Sequence, residues 1–87
     1  MKPLTRRQFK LAKMAAETDL SYKEISSKLH VSVSAIRQTA NIVYKFFGVH
    51  TRLALSHAWI KSDMATRTWE GYMVWHWRNE ELAKAKV

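Results

Sequence analysis

The chain has 87 residues and a mass of 10.2 kDa, enough for one small domain that buries about 60% of its unfolded surface. An apolar fraction of 47% excludes intrinsic disorder, and the absence of cysteine excludes disulfide staples, thiolate zinc sites and a cysteine nucleophile. Fifteen Lys+Arg against seven Asp+Glu leave a net charge of +8, which points to a polyanionic partner.

No apolar run approaches the roughly 18 residues of a membrane-spanning helix, and the N-terminus has no signal-peptide core, so a soluble, cytoplasmic protein is expected. Two glycines and one proline are too few for a turn-rich β fold. Thr5 and Gln8 form a T-x-x-Q capping signal ahead of Phe9, Ala12, Lys13 and Ala16, predicting a first helix over about 5–18. Ser21 to Glu24 form a cleaner capping box, S-Y-K-E, before Ile25 and Leu29, predicting a short second helix over about 22–29.

Residues 30–32 form a brief connection, and Ser32 caps a third helix striped by Ile36, Ala40, Val43 and Phe47. Gly48 ends it as a left-handed cap. A fourth helix starts at the cap Thr51 and runs to about Ser62, burying Leu53 or Ala54, Ala58 and part of Trp59 or Ile60. After a loop over 63–67, a last helix covers about 68–84. The expected class is all-α: a helix-turn-helix domain of about four helices over 1–62, and a Trp-rich helical extension over 63–87. Charge follows the same division. Residues 1–62 hold eleven basic and three acidic side chains, whereas residues 63–87 hold four of each.

Four fragments carry a family resemblance: L-T-R-R-Q at Leu4–Gln8, L-S-Y-K-E-I-S-S-K-L-H-V-S at Leu20–Ser32, A-I-R at Ala35–Arg37, and K-F-F-G-V-H-T-R-L-A-L at Lys45–Leu55. In register and without gaps over about residues 4–58, they resemble the LuxR/GerE-type DNA-binding domain. Beneath the pattern, Ile25, Leu29, Val31, Ile36 and Phe47 supply a core shared by three helices, with Val31 plugging the turn. Ser26 and Ser27 stand where the family places small residues, which lets helices two and three approach.

The resemblance implies that Arg37, Gln38 and Asn41 reach base edges in the major groove. Their chemistry agrees, since Arg pairs with guanine O6/N7 and Gln or Asn with adenine N6/N7. Lys23, at a helix N-terminus, together with Ser32, Ser34, Lys45, Thr51 and Arg52, is the expected phosphate frame. The chain departs from the family at Gln8, Val33–Ser34, Thr39 and Ile42, so its base preference does not follow from its relatives.

About four residues precede the match, so neither a phosphoacceptor pocket nor a signal-molecule cavity is expected. Control would then come through abundance or through pairing with another protein. The resemblance implies a homodimer through helix four, at Leu55, His57 and Lys61, on two-fold half-sites. In the extension, Trp69, Tyr72, Met73, His76 and Glu80 share one helical stripe. Part of it is expected to pack inward, leaving Trp75 or Trp77 for a dimer or a protein partner.

The leading function is a sequence-specific DNA-binding transcriptional regulator. The alternatives are a protein-binding antagonist of a host regulator or polymerase, in a compact form that would suit a phage protein, and a non-specific basic nucleic-acid binder. An enzyme, a metal site and a cofactor are not expected. The four histidines (His30, His50, His57, His76) show no H-x-x-x-H spacing, the acids form no paired constellation, and there is no Gly-rich phosphate loop.

Overall fold

The computed structural model describes residues 2–85, and all regular structure among them is helical. Five α-helices follow in order: α1 (Arg6–Glu17), α2 (Tyr22–Leu29), α3 (Val33–Phe47), α4 (Arg52–Lys61) and α5 (Trp69–Ala85), with a 3-10 turn at Met64–Thr66 before the last. The protein is therefore all-α, with two helices joined by a three-residue turn at its centre.

Each start is set by a side chain that satisfies a backbone N–H the helix cannot. Thr5 and Gln8 form a reciprocal capping box, as do Ser21 and Glu24. The hydroxyls of Ser32 and Thr51 each accept an N–H, from Ala35 and Ala54, at 3.1 Å. Thr68 does the same for Gly71 at 3.1 Å. Two helices stop in left-handed residues. His30 (φ 56°) ends α2 and Gly48 (φ 66°) ends α3. At the first of these, Ser26 closes the turn: its carbonyl accepts the N–H groups of His30 and Val31, and its hydroxyl donates to the Val31 carbonyl. Ser26 thus locks the turn chemically, beyond being small.

Helix α1 is the centre of the core. Phe9, Leu11, Ala12, Ala15 and Ala16 are all buried, and the alanines let α4 approach with Leu55 and Trp59. The Phe9 ring sits 5.2 Å from that of Trp59 and 5.6 Å from that of Tyr72, centroid to centroid, which ties α1, α4 and α5 together. Of the core expected around the turn, Ile25 and Ile36 are fully buried, whereas Leu29, Val31 and Phe47 are half-buried and pack on its margin.

The last carbonyls of α1 would be orphans, and α4 answers them. Arg52 donates through Nε to the Ala15 carbonyl (2.8 Å) and through Nη2 to that of Thr18 (2.9 Å), while Ser56 donates to that of Ala16. Trp59 Nε1 donates to the Glu17 carboxylate at 2.6 Å.

The buried side of α4 differs from expectation. Leu55 and Trp59 point inward, whereas Leu53 (68% exposed) and Ile60 (63%) face solvent. Apolar residues occur on every side of this helix, so periodicity alone cannot select the inner one. Leu55 therefore cannot line a dimer surface.

The C-terminal segment joins the same core through Met64 and Tyr72. Helix α5 then runs past it, and the described part of the molecule measures 44 × 23 × 21 Å.

Candidate nucleic-acid interface

The face of α3 turned away from Ile36, Ala40 and Val43 carries Ser34, Arg37, Gln38, Asn41, Ile42 and Lys45, all exposed. A four-residue step is slightly more than one turn, so Arg37 and Asn41 stand one above the other with Gln38 beside them. No hydrogen bond or ion pair within the described protein engages Arg37, Gln38 or Asn41. Three side chains whose donors and acceptors match base edges thus project, uncommitted, from a helix capped at both ends. Ile42, 49% exposed in the same row, adds an apolar contact of the kind that suits a thymine methyl group.

The expected phosphate frame divides in two. Lys23 and Lys45 are exposed and uncommitted, at the first turn of α2 and the last turn of α3. Ser34 is exposed on the first turn of α3. Ser32 and Thr51 have their oxygens committed to capping, which leaves each hydroxyl proton to donate. Arg52 departs from expectation: its guanidinium is turned onto α1 and lies 5.9 Å from the Tyr22 ring centroid. It braces α1, α2 and α4 and does not project as a phosphate ligand.

A shallow groove beside the end of α3 is lined by Asn41, Tyr44, Lys45, Gly48, Val49 and His50. Its wall is fixed by the hydroxyls of Tyr22 and Tyr44, 2.9 Å apart. Burial, with that hydrogen bond second, pushes the Tyr44 phenol up to about 12. At the start of α2, hydrogen bonds from Ser21, first through its backbone N–H, hold the Glu24 carboxyl below its ordinary value.

Sequence reading missed a second basic concavity, where the start of α1 meets the end of α2 and Arg6, Arg7, Lys10, Lys28, Leu29 and His30 gather. Arg7, Lys10 and Lys28 make no ion pair there, whereas Arg6 is drawn to Glu70 at 2.7 Å and lies over the Trp69 ring. The i, i+3 spacing of Arg7 and Lys10 was a visible signal; their meeting with Lys28 is tertiary.

His57 and Lys61 are exposed on α4, on the same side as Leu53 and Ile60. On α5, Tyr72 and His76 are buried, Trp69 and Met73 are half-buried, and Trp75 (43%) and Trp77 (56%) are exposed. The Arg67 guanidinium lies 5.3 Å from the Trp75 ring centroid, and the Trp77 ring meets the edge of His76. Among the described residues no group of three His, Cys, Asp or Glu side chains could hold a metal ion, and no helix is long and apolar enough to cross a membrane. Comparison with protein-family models, curated proteins and solved structures gives no match in any of the three.

Proposed function

We propose that the protein is a sequence-specific, double-stranded-DNA-binding transcriptional regulator of the cytoplasm, with α3 in the major groove. The observation that carries the reading is the uncommitted trio Arg37, Gln38 and Asn41 on the outer face of α3, with the free ammonium groups of Lys45 one turn further on and of Lys23 at the start of α2. The trio reads base edges, while the lysines and the hydroxyls of Ser32, Ser34 and Thr51 set register on the phosphates. The net charge of +8 steers encounter with the duplex. The resemblance of residues 4–58 to LuxR/GerE-type domains supports the same reading. By that resemblance the protein pairs two-fold through the outer side of α4, at His57 and Lys61, with exposed Leu53 and Ile60 in place of Leu55.

The test is affinity for a site selected from random duplex and for its scrambled counterpart, across a salt series. A specific regulator separates the two by 10³-fold or more on the usual scale, and a merely basic binder does not. A second reading is favoured by one observation, the exposure of Trp75 and Trp77: an antagonist that grips a protein partner through α5. It predicts little affinity for either duplex.

A further inference from the structure

We propose that α5 is a self-association helix, pairing antiparallel with α5 of a second copy of this chain. The inward side of α5 is defined by Tyr72 and His76, both buried. At 100° per residue, the opposite side is centred on Val74, Arg78 and Glu81, with Trp77 on one flank and Leu82 on the other, while Trp75 turns back toward Tyr72 and Arg67. These five are exposed; Val74 is 62% accessible, Trp77 56% and Leu82 55%. An outer face with a tryptophan, a valine and a leucine is more apolar than a solvent-facing helix requires, and the rest of the described protein does not cover it.

Charge selects the occupant. Residues 1–62 carry the entire excess of eight positive charges, so two copies free of DNA that meet through their main bodies repel, and pairing through α4 needs the duplex phosphates to neutralise that charge. Residues 63–87 carry four basic and four acidic side chains, so a face on α5 can meet its own copy without that repulsion. A nucleic acid or an anionic membrane gains nothing from a neutral face, and a strongly charged protein partner would choose another.

The 4, 3 spacing of Val74, Arg78 and Glu81 is that of a helix–helix seam. In a parallel pair each seam residue faces itself, so Arg78 meets Arg78 and Glu81 meets Glu81. Turning one helix round about a two-fold axis between residues 79 and 80 sets Arg78 of each chain opposite Glu81 of the other, forming two ion pairs. The same operation brings the two Trp77 rings together on one flank and the two Leu82 side chains on the other. The seam rests on α5 alone and holds whether or not the protein reads DNA.

Charge reversal tests it, because both residues are exposed and lie outside the core. Sedimentation of the parent chain should give a dimer. Arg78→Glu alone and Glu81→Arg alone should each give a monomer at the same concentration, with helicity unchanged and melting lowered only by the stability that association lends the parent. An equimolar mixture of the two variants, and the doubly substituted Arg78→Glu/Glu81→Arg chain, should return to dimer. Trp77→Ala, which leaves the charges in place, should weaken dimerisation at least tenfold. A monomeric parent overturns the proposal and leaves the face to a foreign protein. Single variants that remain dimers overturn it, and so does a mixture that fails to re-associate. A parent that dimerises through this seam but binds no duplex overturns the regulator reading, while its dimerisation supports the seam.

Discussion

The phenolic oxygen of Tyr72 accepts the backbone N–H of Leu4 at 2.8 Å, across 68 positions of sequence. One residue pair thereby fastens the C-terminal helix to the segment that leads into α1. Trp69 Nε1 completes the attachment by donating to the Leu4 carbonyl at 3.2 Å. Both backbone polar groups of a buried residue are thus satisfied by aromatic side chains of α5. Burial first raises the Tyr72 phenol above its ordinary value, so the hydroxyl stays protonated while it accepts.

Tyr72→Phe should destabilise the protein by about 1–3 kcal/mol, because the Leu4 N–H would remain buried without an acceptor. Removing residues 63–87 should cost more, since Phe9 and Leu4 lose Tyr72 and the core loses Met64. Site preference of the truncated chain should be that of the parent, because α3 is untouched. Thermal melts, with selection of a site by each chain, check both statements.

Arg37→Ala should cost about 1–3 kcal/mol on the preferred duplex and relax selection at one base pair. Lys23→Ala or Lys45→Ala should instead weaken binding to every sequence and reduce the salt slope by about one. An Arg37→Ala chain that held its site as tightly as the parent would remove α3 from the groove.

Arg52→Ala should act on stability and leave the salt slope as it was. Its two hydrogen bonds to the end of α1 are charge-assisted, and losing them should cost about 1–3 kcal/mol. A reduced salt slope at an unchanged melting temperature would restore it to the phosphate frame.

Leu55→Ala should lower stability by about 2–5 kcal/mol, as a cavity beside Phe9 and Trp59. Leu53→Ala and Ile60→Ala, on the opposite side of the same helix, should leave melting nearly unchanged. Their effect is on the assembly of two copies on the duplex, read as mass by sedimentation of the complex.

Alkaline pH should unfold the protein by way of its phenols. Burial, followed by the hydrogen bond with Tyr22, raises the Tyr44 phenol from about 10 to about 12, so the folded state favours the neutral form. That contribution is complete below the unfolded value and is lost as pH rises through about 12. Tyrosinate absorbance should show the Tyr44 step moving down to about 10 when denaturant is added. Tyr44→Phe should remove that part of the pH dependence of melting.

Helix starts were legible because the determinants are local. Thr5, Ser21, Ser32 and Thr51 each form the N-terminal bond their positions predict, and Gly48 takes the left-handed cap. The outer face of α3 was legible too, because Ile36, Ala40 and Val43 leave only one side for Arg37, Gln38 and Asn41. The inner side of α4 was not, since Leu53, Leu55, Trp59 and Ile60 offer apolar surface all round and packing on α1 decides among them. Arg52 escaped for a different reason: the orphan carbonyls it serves lie 37 and 34 residues away in sequence. The basic concavity of Arg7, Lys10 and Lys28 likewise exists only once α1 and α2 meet.

The position of Trp59 has an optical consequence. Its indole is sealed beneath Phe9 and Phe47, with Nε1 held by Glu17, whereas Trp77 and one side of Trp75 are exposed and Trp69 is half-buried. Emission from the native chain should therefore divide into a component that dissolved iodide extinguishes and another that iodide cannot reach. The accessible component reports on whatever settles against α5, and the sheltered one reports on the closing of the core. One unlabelled chain thus carries a gauge at each end of the exposure scale, so association and unfolding can be followed in the same cuvette once Trp69 is replaced by Phe.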